Sequence, residues 1–154
     1  MVELRVGEPA PDFELRDQHG RTVSLSELRG RSVVLVFYPY AFSSVCTGEL
    51  ADLRDTWPAF DREDVAVLGI SCDPMFSLRA YADAEGLDFP LLSDFWPHGA
   101  VASAYGVLDD LRGCARRSTF VVDRDGVLRW LLHNPMGEAR RTQDYLDILE
   151  DLRR

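Results

Sequence analysis

The chain of 154 residues contains no lysine; all seventeen basic residues are arginine, a compositional mark of a GC-rich genome. Cysteine is scarce as well. Cys46, Cys72 and Cys114 are odd in number and widely spaced. That excludes a disulfide framework and points to a reducing, cytoplasmic setting. Positive charge is in short supply: seventeen basic residues face twenty-six acidic ones, for a net charge of −9. Nucleic acids and anionic membranes need clustered positive charge, so neither is an expected partner. The longest apolar run, Val33 to Phe42, is about half of a membrane span. Met1-Val2-Glu3-Leu4-Arg5 is charged and no apolar stretch follows it, so no secretory signal is expected. No Cys/His spacing suggests zinc, and no Gly-rich loop suggests a nucleotide. Neither a metal nor an organic cofactor is expected.

What is present is ordinary for a globular chain, with 46% hydrophobic and 28% charged residues. The length predicts one domain over residues 1–154, large enough to bury a core without staples. Asp12-Phe13-Glu14-Leu15 and Thr22-Val23-Ser24-Leu25 alternate polar and apolar around Gln18-His19-Gly20, which predicts a two-stranded ribbon. Val33–Tyr38 and Val65–Ile70 read as strands buried on both faces. Thr119–Val122 and Val127–Leu131 flank Asp123-Arg124-Asp125-Gly126, a hairpin signal. Between the strands, Cys46, Leu50, Leu53 and Trp57 form an apolar helical stripe limited by Pro58. Further helices are predicted over Met75–Glu85, ended by Gly86, and over His98–Tyr105, ended by Gly106. A last helix carries Tyr145, Ile148, Leu149 and Leu152. This order predicts an α/β fold with a central mixed sheet flanked by helices and preceded by an N-terminal β-ribbon.

Cys46 stands where the strand Val33–Tyr38 gives way to a helix. Backbone N–H groups there are unpaired, and a thiolate is stabilised by them and by a nearby cation. Arg116 and Arg117, just before a buried strand, are candidates for that cation. Ser43 stands three residues before Cys46, where a dithiol oxidoreductase would carry a second cysteine. Shuffling through Cys-x-x-Cys is therefore excluded. The hydroxyl can instead donate to the thiolate or to a substrate oxygen, and Pro39 fixes the backbone entering the loop.

Pro39-x-x-x-Ser43-x-x-Cys46 resembles the peroxiredoxin active-site motif, and Arg117-Ser118-Thr119-Phe120 resembles that family's distal arginine motif. Val6-Gly7-Glu8-Pro9-Ala10-Pro11-Asp12-Phe13 is similar to the family's opening. The string Leu91-Leu92-Ser93-Asp94-Phe95-Trp96-Pro97-His98-Gly99 most resembles the actinobacterial alkyl hydroperoxide reductase E type, a one-cysteine group. The resemblance implies a thioredoxin-like fold, with the reactive cysteine after a central strand. It implies that the Cys46 thiolate attacks hydrogen peroxide, organic hydroperoxides or peroxynitrite and becomes sulfenic acid. Ser43, Arg117 and the Cys46 N–H would stabilise the departing oxygen. Glu49 would orient Arg117, leaving Arg116 as a neighbour. Ser43 departs from the family's usual Thr. The hydroxyl is kept, and the methyl that restrains its rotamer is lost.

The one-cysteine resemblance implies an external thiol reductant, such as mycothiol with mycoredoxin or a thioredoxin-like protein, and a homodimer or larger assembly. Tyr40, Phe42 and Val45 suggest an apolar entrance. Other readings stay open. Cys46 could be a structural thiol, Arg117 a surface ion pair and Glu49 a solvated helix residue. Cys114, in the expected loop Asp109–Arg117, and Cys72, at a strand end, are candidate resolving cysteines in a two-cysteine cycle. Ala51 occupies the same-helix resolving position and excludes that subtype. A peroxide-responsive sensor or relay shares the same sulfenate. His19, His98 and His133 sit in no catalytic context.

Overall fold

The structure, a computed structural model, describes residues 4–56 and 65–153. Strands β1 (Glu14–Arg16) and β2 (Thr22–Ser24) form the expected antiparallel ribbon. A single 3-10 turn over Leu25–Leu28 leads to β3 (Ser32–Phe37), then α1 (Ser44–Thr56) and β4 (Val65–Ser71). Helix α2 (Met75–Glu85), β5 (Leu91–Ser93) and α3 (Ala100–Ala104) follow. Short strands β6 (Leu108–Asp109) and β7 (Cys114–Ala115) precede the hairpin β8 (Ser118–Val122) and β9 (Leu128–His133), and α4 (Thr142–Arg153) closes the order.

Seven strands make one mixed sheet in the order β2-β1-β5-β4-β3-β8-β9. β3, β4 and β5 run parallel, and β8 pairs antiparallel with β3. All six residues of β3 are buried, because both faces of the central strand are covered. Val34, Val36 and Tyr38 pack with Leu50 and Leu53 of α1, Leu78 and Tyr81 of α2 and Leu149 of α4. Val33, Leu35 and Phe37 face the other way, against Ala102, Tyr105 and Phe120. The period-two alternation of one strand thus feeds two cores.

Most predicted elements lie where periodicity placed them. Gly86 ends α2 in the left-handed region at φ 63°. The third helix is shorter than His98–Tyr105. Gly99 has φ 69° and so cannot continue a helix, and the Asp94 carboxylate accepts from Val101 N (3.1 Å) and Ala102 N (2.8 Å) to begin it. β5 was not foreseen. Its three residues are too few to show a period, and pairing with Gly69–Ser71 makes it a strand. Cys114 lies in strand β7, not in a loop, and is buried. Trp57 and Pro58 lie outside the described residues.

Candidate active site

The site is built where β3 ends. Tyr38 N still donates to Ile70 O (3.0 Å), so the chain leaves the sheet only at the buried Pro39. Tyr40–Ser43 form a turn closed by Ser43 N donating to Tyr40 O (3.4 Å). Its third residue, Phe42, has φ 69°, a value usually reserved for Gly or Asn. Ser43 then begins α1: its carbonyl accepts from Thr47 N (2.9 Å) and its Oγ from Cys46 N (3.3 Å). Ser43 is an N-cap, and Cys46 stands in the first turn. The Cys46 N–H, expected to face substrate, is taken up by this cap.

Arg117 reaches the sulfur from the neighbouring strand. Phe37 pairs with Ser118 across β3 and β8, which sets Arg117 beside the end of β3. Its Nη2 donates to Cys46 Sγ (3.3 Å) and to Met136 O (3.0 Å), and its Nε donates to Met136 O (3.2 Å). Nη1 is paired with Glu49 Oε1. Glu49, one turn along α1 from Cys46, is 5% exposed and Arg117 1%. Neither is a surface group. Arg116, the adjacent candidate, is exposed.

Arg140 completes the cluster. Its backbone N and Nε donate to Glu49 Oε2 (3.1 and 2.9 Å), and its Nη2 donates to Glu49 Oε1 (3.2 Å). Nη1 donates to Ser118 O (3.1 Å) and Thr119 Oγ1 (2.9 Å). Two buried guanidiniums therefore share one carboxylate. The Cys46 sulfur lies in hydrogen-bond contact with this pair of guanidiniums through Arg117 Nη2. Sequence reasoning missed Arg140. In the polar segment 136–141 it looks like any exposed arginine, and only its burial singles it out.

Residues 6–131 match the AhpC/TSA family. The chain is 49% identical to alkyl hydroperoxide reductase E of Mycobacterium tuberculosis over 150 residues, covering 97% of this chain and 98% of that protein. It is 37% identical to chloroplastic peroxiredoxin Q of Oryza sativa subsp. japonica over 147 residues, covering 95% of this chain and 67% of that protein. The crystal structure of Enterococcus faecalis AhpC superposes with a TM-score of 0.86 at 31% identity, covering 95% of this chain and 90% of that one. The chain is a peroxiredoxin of the AhpC/TSA family. Its likeness to alkyl hydroperoxide reductase E runs over nearly the whole length, and its fold is thioredoxin-like.

The peroxiredoxin is a thiol-dependent peroxidase, and the structure brings Pro39, Ser43, Cys46, Glu49 and Arg117 together at the end of β3. The other two cysteines differ in surroundings, Cys114 lying near enough to Cys46 for their charges to repel. Cys72 is pushed up to about 12 by burial and by the nearby Asp94 charge. Burial raises Cys114, opposed by its hydrogen bond with the Tyr40 hydroxyl. All three cysteines are free. Among the described residues, no three His, Cys, Asp or Glu side chains group to hold a metal ion. No described helix is long and apolar enough to cross a membrane.

Proposed function

We propose that Cys46 is the peroxidatic nucleophile of a one-cysteine cycle acting on organic hydroperoxides and hydrogen peroxide. The observation that carries this is the Arg117 guanidinium, 3.3 Å from Cys46 Sγ inside a buried cluster with Glu49 and Arg140. The thiolate attacks the terminal peroxide oxygen. An S–O bond forms, the O–O bond breaks, and the departing oxygen leaves as water or an alcohol once protonated. Negative charge grows on that oxygen, and preorganised donors stabilise it. Arg117 is one donor. Ser43 is the other: Cys46 N–H occupies its lone pair, leaving its own O–H to point outward. Pro39 and Glu49 act by position, the first by setting the loop and the second by aiming Arg117.

A thiol from outside the chain then attacks the sulfenic sulfur, releasing water and leaving a mixed disulfide. A second thiol restores the Cys46 thiolate. The protonated Cys72 and the buried Cys114, hydrogen-bonded to Tyr40, favour this route over a resolving cysteine within the chain. A small thiol such as mycothiol, with its redoxin, or a thioredoxin-like protein fits the role. Three free cysteines are consistent with a reducing cytoplasm. The exposed Tyr40 and Phe42 give the entrance an apolar rim, suited to alkyl hydroperoxides.

Intact-mass spectrometry after one equivalent of hydrogen peroxide tests the reading. One added oxygen, lost in Cys46→Ser, is expected, together with a rate about 10²–10³-fold lower in Arg117→Ala. Unchanged peroxide consumption by Cys46→Ser would overturn the assignment. A loss of two hydrogens would identify an internal disulfide and overturn the one-cysteine cycle. Failure to turn over with any thiol would favour the sensor.

A further inference from the structure

The turn that presents Cys46 is held from outside itself. Asp73 follows β4, and its Oδ2 accepts from Ala41 N (2.9 Å), inside the Tyr40–Ser43 turn. The same oxygen accepts from Ser71 Oγ (2.7 Å), and the Asp73 carbonyl accepts from Ser93 Oγ (2.7 Å). Asp73 is thus tied to the ends of β4 and β5, the rigid part of the sheet. The residue after Ala41 is Phe42, at φ 69°. A side chain with a Cβ disfavours that conformation, which persists only where surrounding bonds impose it. Phe42's ring packs on Tyr81, with centroids 4.9 Å apart, but a ring contact does not determine the backbone sign. The bond from Ala41 N–H to Asp73 anchors the peptide that enters the turn, and Ser43 N donating to Tyr40 O closes its far side, so the strained Phe42 backbone is held between two fixed ends.

We propose that Asp73 is a positioning residue for the peroxidase reaction: its carboxylate latches the Ala41–Phe42 backbone in the left-handed turn that sets Ser43 and Cys46 in register with Arg117. The inference rests on the reading of Cys46 as nucleophile. Asp73 touches no reacting atom. It acts through Ala41 N–H, and without it the turn relaxes to negative φ and carries the Ser43 cap away from the sulfur.

The test follows oxidation of Cys46 by hydrogen peroxide in the full chain, read as the rate of gain of one oxygen. Asp73→Ala is expected to slow it about 10–100-fold, the equivalent of one hydrogen bond to a charged acceptor. Asp73→Asn keeps an oxygen that accepts from Ala41 N–H, and it should stay within about threefold of the unsubstituted chain. Phe42→Gly removes the Cβ that opposes the turn. Removing Asp73 in that background should cost less than about threefold, the signature of two residues acting on one conformation. A merely structural carboxylate would show no such coupling. Wild-type oxidation by Asp73→Ala, an equal loss in Asp73→Asn, or a full loss that persists beside Phe42→Gly would each overturn the latch. Where Asp73→Ala does not fold, Asp73→Ser, whose hydroxyl is one atom too short to reach Ala41 N, takes its place with the same expected loss of about 10–100-fold and the same coupling to Phe42→Gly. If Cys46 gains no oxygen in the unsubstituted chain, the nucleophile assignment fails; if it does and the Asp73 series is flat, only the latch fails.

Discussion

At the scale of single residues, three cysteines share one chain and differ by surroundings. Cys46 has a guanidinium in contact. Cys72 has a carboxylate nearby and apolar burial, and is pushed up to about 12. Cys114 is buried behind Tyr40, whose own hydroxyl is raised to about 12, chiefly by its bond with Cys114. A cation beside Cys46 and a carboxylate near Cys72 favour opposite protonation states of the two sulfurs. The Cys72 shift has a consequence for stability. Its folded value lies above the unfolded value, so the native state holds the proton more tightly. The contribution is complete below the ordinary thiol value of 9.0 and is lost as pH rises toward about 12. Urea midpoints should therefore fall between about pH 9 and about pH 11, and Cys72→Ala should flatten that fall. An equal slope in both proteins would remove Cys72 as its cause.

At the scale of elements, boundaries are decided by backbone detail. The strand β3 and the helix α2 follow from apolar patterning and from Gly86, and both match the expected spans. Gly99 is the instructive case. Its φ of 69° starts α3 late, and a Cβ added there would lie 2.6 Å from Leu108 Cδ1. Gly99→Ala combines backbone strain with overpacking, so a loss of about 2–4 kcal/mol is expected. Leu108→Ala alone also destabilises, but in the Gly99→Ala background it should relieve part of the loss. Thermal melts of both singles and the double would show this as non-additivity. Simple addition would mean that strain, not the clash, sets the cost. β6 and β7, two residues each, carry no readable period. They are strands because they pair with each other.

At the scale of the whole molecule, the sheet order gathers chemistry from distant parts of the sequence. Cys46 follows β3, Asp73 follows β4, Arg117 precedes β8 and Arg140 follows β9. The strands β4, β3 and β8 are adjacent, so these ends meet at one edge of the sheet. Exposed aromatic and aliphatic groups include Tyr40 and Phe42 in the turn before Cys46, and Phe95 and Trp96 (81% exposed), which line a groove with residues of β1 and β2. An apolar patch of this kind is suited to a second copy of the chain. Sedimentation at micromolar concentration should give twice the chain mass, and Trp96→Glu should move it toward the monomer. A monomer in both would rule out this face as a dimer interface.

How much was legible beforehand follows from which forces are local. Cys46 and Ser43 could be read together because a helix start places residues three apart within one hydrogen bond. Arg117 could be read because it adjoins a buried strand and matches a motif. Glu49 carried a position but not a burial. Arg140 and Asp73 could not be read, because each depends on a partner tens of residues away, and the strand identity of Cys114 could not because a two-residue pairing with β6 carries no period. Local forces alone set the α/β class, the elements with strong periods and the cysteine at a helix start, since propensity and capping act over a few residues. The fold in three dimensions was needed to show that two arginines share Glu49, that Arg117 contacts the Cys46 sulfur and that an aspartate after β4 accepts from the turn. Those are Coulombic and hydrogen-bond constraints across the sheet, and they exist only once β3, β4 and β8 lie side by side.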